Sequence, residues 1–170
     1  MPYHSKWNSY VGTGDASIVY VPVKSDMSGP APRCDASDED IVEETLRLFK
    51  ANVLSKQFNL EGPADRLLIY LTLTTVQFLR RLEKASNQDE ANKIMHMVAS
   101  EEVSLPGSSD FHLNSIFTPP KDESTFRQYF VQLRRKLGSL LVSKVFTVPH
   151  EKSKWWMMWS RNEFLGIKVR

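Results

Sequence analysis

The chain is poor in thiols. Cys34 is the single cysteine among 170 residues, which excludes an internal disulfide framework and any multi-cysteine zinc or iron–sulfur site, and points to a reducing compartment. Charge of one dominant sign is also missing: 22 Lys+Arg against 20 Asp+Glu leave +2, which argues against a dedicated nucleic-acid binder but leaves room for one local basic face. The longest uncharged stretch, Leu67 to Leu79, has 13 residues, whereas a membrane-spanning helix needs about 20. The opening Met1-Pro2-Tyr3-His4-Ser5-Lys6 lacks the apolar run of a secretory signal, and there is no lipidation motif or Asn-X-Ser/Thr sequon. Cytoplasm is therefore the expected location, with no membrane partner.

The arrangements that activate a nucleophile or a water are missing too. His4, His96, His112 and His150 have no partner at three- or four-residue spacing, so no metal site is expected. Cys34 lies between Arg33 and Asp35 in a linker without the base or helix N-terminus that a thiolate needs. Gly12-Thr13-Gly14 precedes a strand instead of following one, and so reads as a turn and not as a dinucleotide fingerprint. Gly107-Ser108-Ser109 lacks the second glycine of a nucleophile elbow. The acids at Asp38, Glu39, Asp40, Glu43 and Glu44 fan out around a helix axis, and capping explains the first three without a metal. The expectation is a protein with no enzymatic activity and no cofactor.

What is present is helix. Residues 1–34 are broken by Gly12, Gly14, Pro22, Gly29, Pro30 and Pro32 and read as an extended arm, with one marginal edge strand in Ser17 to Lys24. From residue 35 to 170 the pattern is that of a single all-α domain. A first helix over roughly 38–53 carries Ile41, Thr45, Leu48, Phe49 and Val53 on one stripe, with Asp38, Glu39 and Asp40 at its first-turn amides. A second runs from Pro63 to Ala85 without proline or glycine and is apolar in every direction, so it is expected to be central, about 35 Å long, and surrounded by the others. A third starts at Asn87, and a fourth near Asp122 to Ser124 carries Phe126, Phe130, Leu133, Leu137 and Val145. A short fifth holds Trp155, Trp156, Met158 and Trp159. About five helices and one marginal strand make an all-α fold.

Dividing the charge by region changes its meaning. Residues 35–65 hold eight acids and three bases, a net −5, while residues 127–170 hold ten bases and two acids, a net +8. This is either a helix face neutralised by the acidic first helix or a docking face for an acidic partner. Three tryptophans in five residues cannot all face one core, since each step turns about 100°. Trp155 and Trp159 share a face and Trp156 looks elsewhere. Phe111 to Phe117 either covers the core or touches a partner. From charge and surplus aromatic surface, Lys152, Lys154, Trp156 and Arg161 are the candidate partner-binding residues. Pro30 and Arg33 join them, because Gly29 to Arg33 has no apolar periodicity to fold on its own and is expected to lie across a neighbouring subunit. From the residues alone the chain reads as an assembly subunit, or as a free-standing helical adaptor or basic nucleic-acid-binding module.

Several segments, in order along nearly the whole chain, carry a resemblance. They are Tyr3-His4-Ser5, Gly29-Pro30-Ala31-Pro32-Arg33, Asp40-Ile41-Val42, Phe49-Lys50-Ala51-Asn52-Val53, Ala64-Asp65-Arg66, Leu68-Ile69-Tyr70 and Leu73. Further on come Leu105-Pro106-Gly107, Leu113-Asn114-Ser115-Ile116, Gln132-Leu133-Arg134, Lys144-Val145-Phe146 and Ser153-Lys154-Trp155-Trp156. The ordered set resembles the family of 21-kilodalton subunits, subunit 3, of the actin-related protein 2/3 complex. The resemblance implies an all-α fold, no catalysis, and a structural place in a seven-protein assembly that nucleates branched actin filaments. It further implies contact with the actin-related protein 3 subunit, a position near the mother filament, and residence in the actin cytoskeleton. Nucleic acid is not an expected partner.

Overall fold

A computed structural model describes residues 2–25, 28–101 and 103–169. A 3-10 helix at Lys6–Ser9 is followed by a hairpin of β1 (Gly14–Asp15) and β2 (Ile18–Val19). Then come α1 (Ile41–Asn52), α2 (Pro63–Leu82), α3 (Gln88–Glu101), α4 (Glu123–Val145) and the four-residue α5 (Lys154–Met157).

The fold is mostly helical but not purely all-α, because the turn around Gly14 pairs. Gly14 faces Val19 and Asp15 faces Ile18 in an antiparallel ladder. The hairpin needs glycine here: a Cβ on Gly14 would stand 2.2 Å from the Ile18 carbonyl oxygen.

Capping sets the start of α1. The Asp40 carboxylate accepts from the Glu43 N–H at 2.8 Å, and the Glu43 carboxylate accepts from the Asp40 N–H at 3.0 Å, a reciprocal capping box. Asp38 and Glu39, expected to serve the same amides, lie outside the helix and take cations instead: Asp38 pairs with Lys6, and Glu39 with Arg47 at 2.8 Å.

Pro63 occupies the first turn of α2, and 15 of its residues are buried. Its polar residues do not prevent this. Thr72, Thr74 and Thr75 each donate a hydroxyl at 2.7 Å to the carbonyl four residues back, so none of these three hydroxyls is left unpaired. The helix touches α1, α3, α4, α5, β2 and the 3-10 helix. It ends at Leu82, short of Ala85, in a tighter turn where Glu83, Lys84 and Ala85 each bond three residues back.

Around it, Tyr70 stacks on Phe130 at 4.2 Å and Phe126 lies 4.6 Å from Phe130. Phe111, Leu113 and Phe117 are buried in the same cluster, so the 111–117 loop covers the core. Ile18, Tyr20, Val21 and Val23 also enter that cluster, and the Tyr129 hydroxyl donates to the Val21 carbonyl at 3.0 Å.

Helices α3 and α4 approach closely at Gly138, where an added Cβ would lie 3.0 Å from Met95 Cβ. Gly138→Val is expected to push the helices apart and cost about 1–3 kcal/mol. Thermal unfolding of the purified variant, with Gly138→Ala as the milder step, checks this.

Candidate interaction surface

The surface forms where α5 meets the C-terminal ends of α1 and α2. The Ser153 N–H donates to the Val145 carbonyl at 2.7 Å, turning the chain back into α5. Trp156 then stacks on Phe49 of α1, with centroids 5.6 Å apart and planes 21° apart, while Lys50 Nζ lies 5.0 Å from its ring centroid. That cation over an aromatic face adds about 0.5–1 kcal/mol at a partly exposed site. Beyond α5, the Asn162 side chain donates to the Val53 carbonyl at 3.3 Å. These contacts leave three large apolar side chains around one junction: Trp155 is 65% exposed, Met158 61% and Leu54, at the end of α1, 62%. Trp159 packs against the core.

Four of the six residues singled out from sequence gather here, in different roles. Lys152 Nζ donates to the Glu83 carbonyl at 2.9 Å and reaches toward that of Leu82 at 3.4 Å. It neutralises the negative end of α2 and is not a free docking charge. Trp156 is half-buried against Phe49, and its neighbour Trp155 is the exposed one. Arg161 forks onto Glu83, with Nη2 3.1 Å from Oε2, and Ser160 Oγ donates to the same carboxylate at 2.8 Å. Arg161 and then Ser160 hold the Glu83 carboxyl below the usual carboxylate range, and Glu83 in turn raises the Arg161 guanidinium. Lys154 is exposed and has no partner among the described residues.

Pro30 and Arg33 lie elsewhere. Ala31 N–H donates to Gln132 Oε1 at 3.0 Å, and Val23 N–H to the Pro32 carbonyl at 3.0 Å, forming a parallel bridge between Val23 and Arg33. The Gly29–Arg33 segment is thus docked on α4 and on the N-terminal segment of its own chain. Pro30 is half-buried and Arg33 exposed.

The regional charge resolves in the same way. Lys136 bridges to buried Asp40 at 3.0 Å, Lys24 to Glu43 at 2.9 Å, and Lys168 to Glu163 at 3.5 Å. Arg134 is buried on backbone carbonyls of α3. Arg170 lies outside the described residues. Much of the basic excess is therefore paired within the fold, and among the described bases of residues 127–170 only Lys136 pairs with an acid at the start of the first helix.

A further buried polar site was not apparent from sequence. Asp65, at the start of α2, accepts from Ser5 N–H at 2.8 Å and Glu61 N–H at 2.9 Å, and lies 2.7 Å from His4 Nδ1. Buried Glu44 accepts from Ser5 Oγ at 2.6 Å and Lys6 N–H at 2.9 Å, and burial pushes its carboxyl up. These groups fasten the N-terminal segment to α1 and α2. Burial likewise pushes the Cys34 thiol up, away from thiolate. Among the described residues no three His, Cys, Asp or Glu side chains could share a metal ion, and no helix is long and apolar enough to cross a membrane.

Comparison with known proteins identifies the family of the chain. A family model described as "ARP2/3 complex ARPC3 (21 kDa) subunit" matches residues 1–169. The protein named actin-related protein 2/3 complex subunit 3 in Dictyostelium discoideum is 40% identical, with 98% of each chain covered. A probable subunit 3 of Caenorhabditis elegans is 34% identical over 96% of this chain and 92% of that protein. Subunit 3 of Arabidopsis thaliana is 31% identical over 99% of each. With nearly the whole length matched by both the family model and its relatives, the chain belongs to the family of 21-kilodalton subunits, subunit 3, of the actin-related protein 2/3 complex.

Proposed function

We propose that this chain is a non-catalytic structural subunit of an actin-related protein 2/3 complex, supporting nucleation of branched actin filaments in the cytoplasmic actin cytoskeleton. It would bind the actin-related protein 3 subunit and lie near the mother filament. The observation that carries this reading is the end-to-end family match, joined to relatives of the same length that bear that subunit's name. In this reading α2 is the central helix of a single domain spanning 35–170, and residues 1–34 are an arm held against it.

The contact with a partner is assigned to the junction of α1 and α5. An exposed tryptophan beside an unpaired lysine has the composition of interface hot spots, and the acidic surface of an actin filament or an actin-related protein suits the charge. Lys154 meets the partner, with Trp155 next to it; Lys152, Trp156 and Arg161 hold the surface in place from below. Pro30 and Arg33 offer a second, smaller contact.

Full-length protein reconstituted with the other subunits tests the reading. Co-purification at fixed stoichiometry and branch formation with actin are expected, and a chain that remains a monomer overturns the proposal. The double variant Lys154→Glu with Trp155→Ala is expected to weaken incorporation or branching at least tenfold, about 1.4 kcal/mol or more, with the melting temperature of the free chain unchanged. Wild-type assembly and branching by that variant would remove the α5 junction from the interface.

A further inference from the structure

Between α3 and α4 lies a second feature that the α5 junction does not use. Next to the close approach at Gly138 lies a cleft of about 240 Å³, lined by Asn92, Met95 and His96 from α3 and by Arg135 and Ser139 from α4. The spacing explains the grouping: 92, 95 and 96 share one face of a helix, as do 135, 138 and 139.

The Arg135 Nε atom is buried and has no hydrogen-bond partner. Arg135 as a whole is half-buried, but leaving its buried Nε–H unpaired is unfavourable, and native structures rarely keep such a donor without a reason. Nor does the lining contain a carboxylate. The cleft thus has a cation without a counter-charge and, at its rim, three side chains able to donate hydrogen bonds. Asn92, His96 and Ser139 are exposed, so the mouth is open to another molecule.

We propose that this cleft seats an acidic side chain of a partner polypeptide, a glutamate whose carboxylate takes the Arg135 guanidinium. The guanidinium fork matches a carboxylate in two parallel hydrogen bonds. Met95, buried and apolar in the lining, favours a glutamate over a bare phosphate, because the methylenes leading to the carboxylate have something to pack on. The inference rests on the reading of the chain as an assembly subunit, since it needs a partner polypeptide.

Arg135→Met separates this role from a structural one. Because the arginine's Nε makes no internal hydrogen bond, the free variant is expected to melt at the wild-type temperature or above, while the reconstituted complex loses the variant about tenfold faster than wild type. A lowered melting temperature of the free chain, or an unchanged rate of loss, overturns the proposal. A second measurement does not depend on assembly: the Arg135 Nε–H resonance of the full-length free chain is followed while glutarate or inorganic phosphate is added. A saturable shift with glutarate, absent in Arg135→Met, is expected. No shift with either compound, or a shift with phosphate alone, overturns the glutamate assignment. If the wild-type chain enters no complex, the reading as a subunit fails and the glutarate titration by itself decides the cleft.

Discussion

Replacing Asp65 by alanine is expected to lower the stability of the chain by about 3–5 kcal/mol, the cost of breaking a buried charged network by removing one partner. The side chain is 0% exposed. Its two oxygens accept from Ser5 N–H and Glu61 N–H and contact His4 Nδ1, while its own N–H donates to Asn8 Oδ1 at 2.9 Å. Truncation leaves the Ser5 and Glu61 amides without an acceptor, each at about 1–3 kcal/mol, and removes a negative charge from the first turn of α2. Asp65→Asn keeps one acceptor oxygen but turns an N–H₂ toward a backbone donor, Ser5 N–H or Glu61 N–H, so an intermediate loss is expected. Urea unfolding measures both. Hydrogen exchange adds the location: the Ser5 and Glu61 amides should exchange faster in Asp65→Ala than the amides of α4. A loss below about 1 kcal/mol would show that residues 4–8 are held by something other than this carboxylate.

Arg134→Ala is expected to cost about 4 kcal/mol, and Arg134→Met about half of that. The guanidinium donates to the Val98 carbonyl at 2.8 Å, the Ala99 carbonyl at 3.2 Å and the Tyr70 hydroxyl at 3.3 Å, and lies 5.1 Å from the Phe78 centroid. Val98 and Ala99 are among the last four residues of α3, whose carbonyls have no helical partner. The arginine supplies that partner from α4 and ties three helices together. Methionine restores much of the volume but none of the donors, so the difference between the two variants separates packing from hydrogen bonding. Chemical unfolding of both gives the values, and equal losses would assign the whole effect to the donors. The adjacent Arg135 is expected to behave in the opposite way, since truncating it leaves the free chain intact.

These neighbouring arginines show where sequence reading stops. Both stand in a basic run, Arg134-Arg135-Lys136, that reads as a charged surface. In the structure one is buried on carbonyls, one lines a cleft with an orphan Nε, and Lys136 reaches buried Asp40. Nothing local distinguishes them, because their partners lie 35 or more residues away. The tryptophans behave likewise. That Trp155 and Trp156 face different ways follows from helical geometry, but which of them finds Phe49 depends on how α5 docks on α1. Trp155, not Trp156, is left exposed.

By itself the sequence determined the helices, through their spacing, their capping acids and the uninterrupted apolar run of α2, and it determined the family, through ordered segments spread over the whole chain. Both are properties of residues read near one another or in order. The tertiary structure alone decided the use of each charge. The basic excess at the C-terminal end, legible as a docking face, is largely consumed in ending helices and closing ion pairs, because a carbonyl at a helix end attracts a cation whichever distant segment supplies it. What the fold leaves unpaired among the described bases of residues 127–170 is a smaller set: Lys144, Lys154 beside Trp155, and the Arg135 Nε at its cleft.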